Sequence, residues 1–245
     1  MPETDVRLLP GWMEDDDRYV AAVSIELPSG WKTYWRTAGE GGIAPVFDWT
    51  GSTNIAEAEL IWPTPTVFDA WGMRSFGYEG GVVIPVRFEL IDPDRDARAD
   101  LQLEFGVCED ICIAAEATTT ANLPVGESHN AILIETMLAD GPRDARQHGL
   151  SIANCVVDPG EDGSDVRVTA DLLFAEDVSE VPVIVLDSTD SGLWFGETVA
   201  AQQNARLFSA VAPVVPLSSG PLFIERGSLR FSVITASGVL EHYGC

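Results

Sequence analysis

The feature that most constrains this chain is an alternation of apolar and polar residues with period two, repeated in short runs and cut off by turn formers. Tyr19, Ala21, Val23, Ile25 and Leu27 alternate with Val20, Ala22, Ser24 and Glu26. Val82, Ile84, Val86, Phe88 and Leu90 alternate in the same way with Val83, Pro85, Arg87 and Glu89. Successive side chains of a strand point to opposite faces, so each run is expected to be a half-buried strand. Trp31 to Arg36, Val46 to Trp49 and Glu57 to Trp62 are further short runs, bounded by turns such as Pro28-Ser29-Gly30 and Gly39 to Gly42. Many short strands with Gly- and Pro-rich turns predict an all-β sandwich.

At 245 residues the chain is long enough for two cores, since one domain usually takes about 100 to 150 residues. From Ser128 to Leu138 the period changes: Ala131, Ile134, Met137 and Leu138 fall on one face of a short helix, with Ser128 as its cap and Gly141-Pro142 as its end. Strand-like runs resume at Ser151 to Val157, Val166 to Leu173, Val181 to Leu186, Phe208 to Val215 and Leu229 to Ile234. The expected organisation is two immunoglobulin-like β-sandwich domains, residues 1–126 and 149–245, joined by a helical connector over 127–148.

Charge narrows the partners. A net charge of -25 repels nucleic-acid phosphates, so no nucleic-acid partner is expected. No apolar run approaches the roughly 18 to 20 residues of a membrane span, so no direct membrane insertion is expected either. The start of the chain is not a basic stretch followed by an apolar one, and a signal peptide is expected to be absent or already removed.

The four cysteines fall into two kinds of pair. Cys108 and Cys112 are separated by three residues, whereas Cys155 and Cys245 bracket most of the second half. Loop-closure entropy assigns about 2 kcal/mol to the short loop and about 4.5 kcal/mol to the long one. Cys155–Cys245 is therefore expected to be the structural staple, and a chemical role is easier to assign to Cys108 and Cys112.

The strand phases place the short pair. Leu101, Leu103, Phe105 and Val107 hold the apolar phase, which puts Cys108 in the opposite phase with Gln102 and Glu104. On the returning strand Cys112 shares its phase with Ala114, Glu116 and Thr118. Both sulfurs are expected to point away from the core, opposed across a tight loop at a distance a disulfide can span. Glu109 and Asp110 lie in that loop, and Arg98 is the one basic residue nearby in sequence, so local charge disfavours a thiolate. That suits a disulfide attacked by another protein's thiolate better than an attacking cysteine. An ordinary hairpin bridge is the alternative. No histidine lies near the pair, so neither a metal site nor a cofactor is expected there.

An ordered series of motifs resembles a known family. Pro28-Ser29-Gly30-Trp31-Lys32-Thr33-Tyr34-Trp35-Arg36 is followed by Gly41-Gly42-Ile43-Ala44-Pro45, Trp62-Pro63-Thr64-Pro65, Gly77-Tyr78, Val83-Ile84-Pro85-Val86 and Gly106-Val107-Cys108-Glu109-Asp110-Ile111-Cys112-Ile113. Together these resemble the amino-terminal periplasmic domain of the thiol:disulfide interchange protein DsbD, in its variants related to suppressor-of-copper-sensitivity proteins. The resemblance covers about residues 5 to 125.

It implies an immunoglobulin-fold component of a protein-disulfide reductase in the periplasm. Such a domain accepts electrons from a thioredoxin-like domain or membrane thiol reductase and passes them to periplasmic oxidised proteins. It also implies that Cys108 and Cys112 are the redox pair, that Cys112 forms the mixed disulfide, and that an aromatic loop caps the sulfurs. The stretch in the position of that loop is Phe68-Asp69-Ala70-Trp71-Gly72-Met73, with Phe68, Asp69 and Trp71 as the capping candidates. The best-known members space their cysteines more widely and carry the capping aromatic where this chain has Ala70. The residues given hold no counterpart of the family's membrane electron-conducting or thioredoxin-like segments, so those functions are expected from elsewhere.

Two other functions are weighed. Trp31, Trp35, Trp49, Trp62 and Trp71 are concentrated in one third of the chain and, if exposed, would suit a carbohydrate- or protein-binding module with purely structural disulfides. A hydrolase is disfavoured: no G-x-S-x-G or H-E-x-x-H motif occurs, and His129, His148 and His242 are expected in solvated or capping positions.

Overall fold

The computed structural model describes residues 3–70, 72–109, 111–159, 166–189, 192–217 and 223–245. The chain divides into two compact units, Met1–Gly141 and Pro142–Cys245.

The first unit contains β1 (Asp5–Met13), β2 (Arg18–Glu26), β3 (Lys32–Gly39), β4 (Val46–Asp48), β5 (Ile55–Leu60), β6 (Thr66–Ala70), β7 (Met73–Glu79), β8 (Gly81–Leu90), β9 (Ala97–Cys108), β10 (Cys112–Leu123) and the helix α1 (Ala131–Ala139). One sheet has the order β1-β2-β8-β5. The other has the order β10-β9-β3-β7-β6, with β4 also pairing β9. The alternating residues read from the sequence meet between these sheets. Tyr19, Ala21, Val23 and Ile25 of β2, Val86, Phe88 and Leu90 of β8, and Leu101, Leu103, Phe105 and Val107 of β9 form one buried cluster. This is an immunoglobulin-like sandwich.

Its β2 strand departs from the expected half-burial. Val20 and Ala22, on the face turned away from the core, are also fully buried. The cause is α1, whose fully buried Ile134 packs on both of them. The helix thus covers the outer face of one sheet and lies within the first unit. Its cap is Asn130, in the left-handed region at φ 49°, and not Ser128. The Asn130 side-chain amide donates to the carbonyl of Pro10 at 2.9 Å, tying the helix start to β1.

The second unit holds β11 (Arg143–Asp144), β12 (Leu150–Pro159), β13 (Val166–Phe174), β14 (Val183–Ser188), β15 (Leu193–Phe195), β16 (Val199–Gln202), β17 (Leu207–Pro216), β18 (Leu229–Thr235) and β19 (Gly238–Tyr243). Its sheets have the orders β11-β19-β18-β14 and β12-β13-β17-β15, with β16 also on β17. Val168, Ala170, Leu172, Phe208, Ala210, Ala212, Phe231 and Val233 fill the space between them. His242 corrects an expectation. It lies on β19 with 7% of its surface exposed, because the strand ladder runs almost to the end of the chain and carries it inward.

Candidate functional site

The site grows from the β9–β10 hairpin. Ladder pairing runs from Leu123↔Ala97 to Cys112↔Cys108, so the two cysteines are directly opposed where the strands meet the loop. Their Cα atoms are 4.2 Å apart and the sulfurs are bonded. Residues opposed in an antiparallel pair present their side chains on one face, which brings both sulfurs to the face away from the main core. The sequence phases gave this face correctly.

They did not give the burial. Cys112 is exposed, but only 4% of Cys108 is. The cover comes from β3. Lys32 and Thr33 pair with Cys108 and Val107, after which β3 leaves β9, and β4 takes up the pairing at Val46↔Glu104. Tyr34 stands at this opening in the ladder. With Ala38 and Cys108 it forms a small apolar cluster separate from the core.

Tyr34 is the residue of this site that sequence reasoning did not single out. Its hydroxyl lies 2.8 Å from Cys108 Sγ and 3.0 Å from Cys112 Sγ. It also lies 3.3 Å from the Gly41 carbonyl oxygen, which is 3.4 Å from Cys112 Sγ. Burial pushes the phenol pKa up, so the group remains an O–H donor at neutral pH and well above it. A usable signal lay in phase: Tyr34 alternates with Thr33 and Trp35, both buried. What the alternation could not supply was that β3 lies beside β9.

Two glycines of the motif series, Gly42 and Gly106, have a physical reason at Tyr34. A Cβ on Gly42 would fall 2.6 Å from Tyr34 Cδ1 and Cε1, and one on Gly106 would fall 3.0 Å from Tyr34 Cδ2 and 2.8 Å from Ile43 Cβ. Both are closer than side chains tolerate in a packed site. The phenol ring is held in a slot whose two walls are glycine.

Charge around the pair also differs from the local reading. Lys32 is the register partner of Cys108 and so places a cation on the sulfur-bearing face, although it is remote in sequence. Its Nζ lies 4.5 Å from the centroid of the Phe68 ring, a cation–π contact. Phe68 belongs to a β6–β7 hairpin, since the expected loop is two strands paired from Thr66↔Gly77 to Ala70↔Met73. Phe68 is half-buried and Asp69 exposed, and Asp69 accepts a hydrogen bond from Arg74 at 3.0 Å. Trp71 and Asp110 lie outside the described residues. Among the described residues, the hydrogen-bond contacts that reach the sulfurs come from Tyr34 and Gly41.

Other candidates fall away from this site. Cys155 and Cys245 are bonded to each other with Cα atoms 5.4 Å apart and pack beside the second core. Trp35 and Trp62 are buried, and Trp31 and Trp49 pack against the first core, leaving no described row of exposed tryptophans in the first unit for a sugar to stack on. Among the described residues no group of three His, Cys, Asp or Glu side chains converges to hold a metal ion. No described helix is long and apolar enough to cross a membrane.

Comparisons with known proteins bear on the same region. A comparison with curated protein sequences gives no match. Among solved structures, the N-terminal periplasmic domain of ScsB from Proteus mirabilis superposes with a TM-score of 0.65 at 23% identity, covering 98% of this chain and 91% of that one. At that identity the likeness is one of fold, and it extends through both units. The family described as thiol:disulfide interchange protein DsbD, N-terminal, matches residues 5–124, a span containing Tyr34 and the whole cysteine hairpin. The amino-terminal unit of this chain belongs to the DsbD N-terminal family.

Proposed function

We propose that the protein is a periplasmic thiol-disulfide exchange component that accepts electrons at Cys108 and Cys112 and donates them onward. The observation that carries this reading is the asymmetry of the bridge. One cysteine, Cys112, is exposed and would be the one to meet an incoming nucleophile. The other, Cys108, sits under Tyr34 and is suited to leave.

Exchange proceeds by attack of a thiolate along the S–S axis through a mixed disulfide. In each cycle a partner dithiol gives up two electrons and two protons and becomes a disulfide, and the Cys108–Cys112 bond is reduced to two thiols. A second exchange with an oxidised protein returns the bridge. A thioredoxin-like domain or a membrane thiol reductase supplies the electrons, and periplasmic oxidised proteins receive them. The β6–β7 hairpin, with Phe68 and Asp69, flanks the site as the partner-facing edge. The second unit serves as a scaffold or a further contact surface.

The reading is tested by mixing the oxidised protein with a reduced thioredoxin-like domain and alkylating the thiols that appear. Cys108 and Cys112 should become labelled while Cys155 and Cys245 stay bridged. Persistence of the Cys108–Cys112 bond, or earlier opening of Cys155–Cys245, would contradict it.

A further inference from the structure

We propose that Tyr34 is a catalytic residue of the exchange, its hydroxyl donating a hydrogen bond to Cys108 Sγ as that sulfur becomes the leaving thiolate. The inference rests on the exchange reaction proposed above and assigns a role within it that neither sulfur can fill.

The difficulty Tyr34 answers is one of burial. When a partner thiolate attacks Cys112 Sγ, a bond forms between that sulfur and the partner's, the Cys112–Cys108 bond breaks, and its electron pair leaves on Cys108. Cys108 is 4% exposed, so the new anion appears where water can do little to solvate it, and an unsolvated buried charge is costly. The one described side-chain donor within hydrogen-bond distance is the Tyr34 hydroxyl, 2.8 Å from the departing sulfur.

Its placement is fixed before the reaction. The ring is walled by Gly42 and Gly106, and the hydroxyl contacts both sulfurs and the Gly41 carbonyl. A donor aimed in advance at the atom where charge develops stabilises the transition state more than the ground state. A neutral disulfide sulfur is a weak acceptor and a thiolate a strong one, so the bond strengthens as the reaction runs. The partner's second thiolate then attacks its own mixed-disulfide sulfur and releases Cys112 as a thiolate. Protons from the partner's two thiols complete the two cysteine thiols, and Tyr34 keeps its own proton throughout.

Other charged groups on this face act on the same thiolate and must be held constant. Among the described residues they are Lys32 on β3, opposite Cys108, Glu104 on β9 and Glu116 on β10, which are opposed to each other, and Glu109 in the loop. Asp69 and Arg74 on the β6–β7 hairpin are paired with each other. None of these is altered by changing Tyr34 to phenylalanine, which keeps the ring and removes only the donor.

The test uses dithiothreitol as the nucleophile on the oxidised full chain, so that no partner surface enters. Tyr34→Phe is expected to slow reduction of the Cys108–Cys112 bond about tenfold, the scale of a hydrogen bond to a charged group. In Cys112→Ser protein, the pH profile of Cys108 alkylation should move up by about one unit when Tyr34→Phe is added, the same factor read as an equilibrium. Gly106→Ala, which crowds the ring and leaves the hydroxyl, should shift both readouts in the same direction, with circular dichroism confirming the fold. Equal rates in wild type and Tyr34→Phe would overturn the role of Tyr34 while leaving exchange intact. A slower Tyr34→Phe with an unmoved pH profile would overturn it too, by reducing Tyr34 to packing. A wild-type bond that dithiothreitol does not open ahead of Cys155–Cys245 would overturn both the role and the reading beneath it.

Discussion

The two disulfides of this chain are the same covalent bond used in opposite ways. Cys155–Cys245 joins residues 90 apart in sequence, linking β12 of one sheet to the residue just past β19 of the other, beside the second core. Cys108–Cys112 joins residues four apart that the hairpin ladder already holds opposite each other. The long bridge removes a large part of the unfolded chain's freedom and the short one removes little, about 4.5 against about 2 kcal/mol in the chain-entropy account. Among the described residues the short bridge instead has what the long one lacks: directly opposed exposed and buried cysteines, a phenol hydroxyl near both sulfurs, and a lysine across the strand. Span and surroundings together separate a structural bridge from a chemical one.

The comparison can be broken most decisively at Cys112. Cys112→Ser should reduce exchange to background while moving the unfolding midpoint of the first unit only slightly, measured by alkylation kinetics and by calorimetry on the same sample. The mirror experiment is Cys155→Ser with Cys245→Ser. It should cost the second unit about 4 kcal/mol in denaturant unfolding and leave the exchange rate unchanged.

A smaller effect tests whether the first unit owes its stability to packing and not to its bridge. Ile134→Ala, which removes the buried contact between α1 and the β2 residues Val20 and Ala22, should cost about 3 kcal/mol without slowing exchange. The smallest effect is acid sensitivity confined to the second unit. Burial pushes the His242 imidazole below its ordinary value, so the folded state binds fewer protons than the unfolded one. The corresponding stability is intact above about pH 6.5 and is lost as pH falls through that value toward the folded pKa. The urea midpoint of the second unit should therefore drop on acidification to pH 5.5, and less so in His242→Leu.

Much of this was legible in the residues because period-two alternation is a local signal. The phases of Leu101 to Val107 and of Cys112 to Thr118 suffice to put both sulfurs on one face of a hairpin. The sequence hid whatever depends on which strands become neighbours. Nothing local says that β3 borders β9, so the cover over Cys108, the hydroxyl of Tyr34 and the charge of Lys32 could not be read. The burial of Val20 and Ala22 was hidden for the same reason, since it is imposed by a helix more than a hundred residues away. The stretch 68–73 was expected to be a loop on the family resemblance, and although Gly72, in the left-handed region at φ 81°, marks a turn, nothing local says that strands flank it. His242 read as terminal and solvated because chain position carries no information about the ladder that buries it.

The most direct test is to map the mixed disulfide. Wild-type oxidised protein is mixed with a thioredoxin-like domain whose resolving cysteine has been replaced, so that the intermediate accumulates, and the joined peptides are identified by mass spectrometry. The account predicts the partner's sulfur on Cys112, with Cys108 free to be alkylated. Attachment at Cys108, at Cys155 or at Cys245, or no adduct at all, would contradict it.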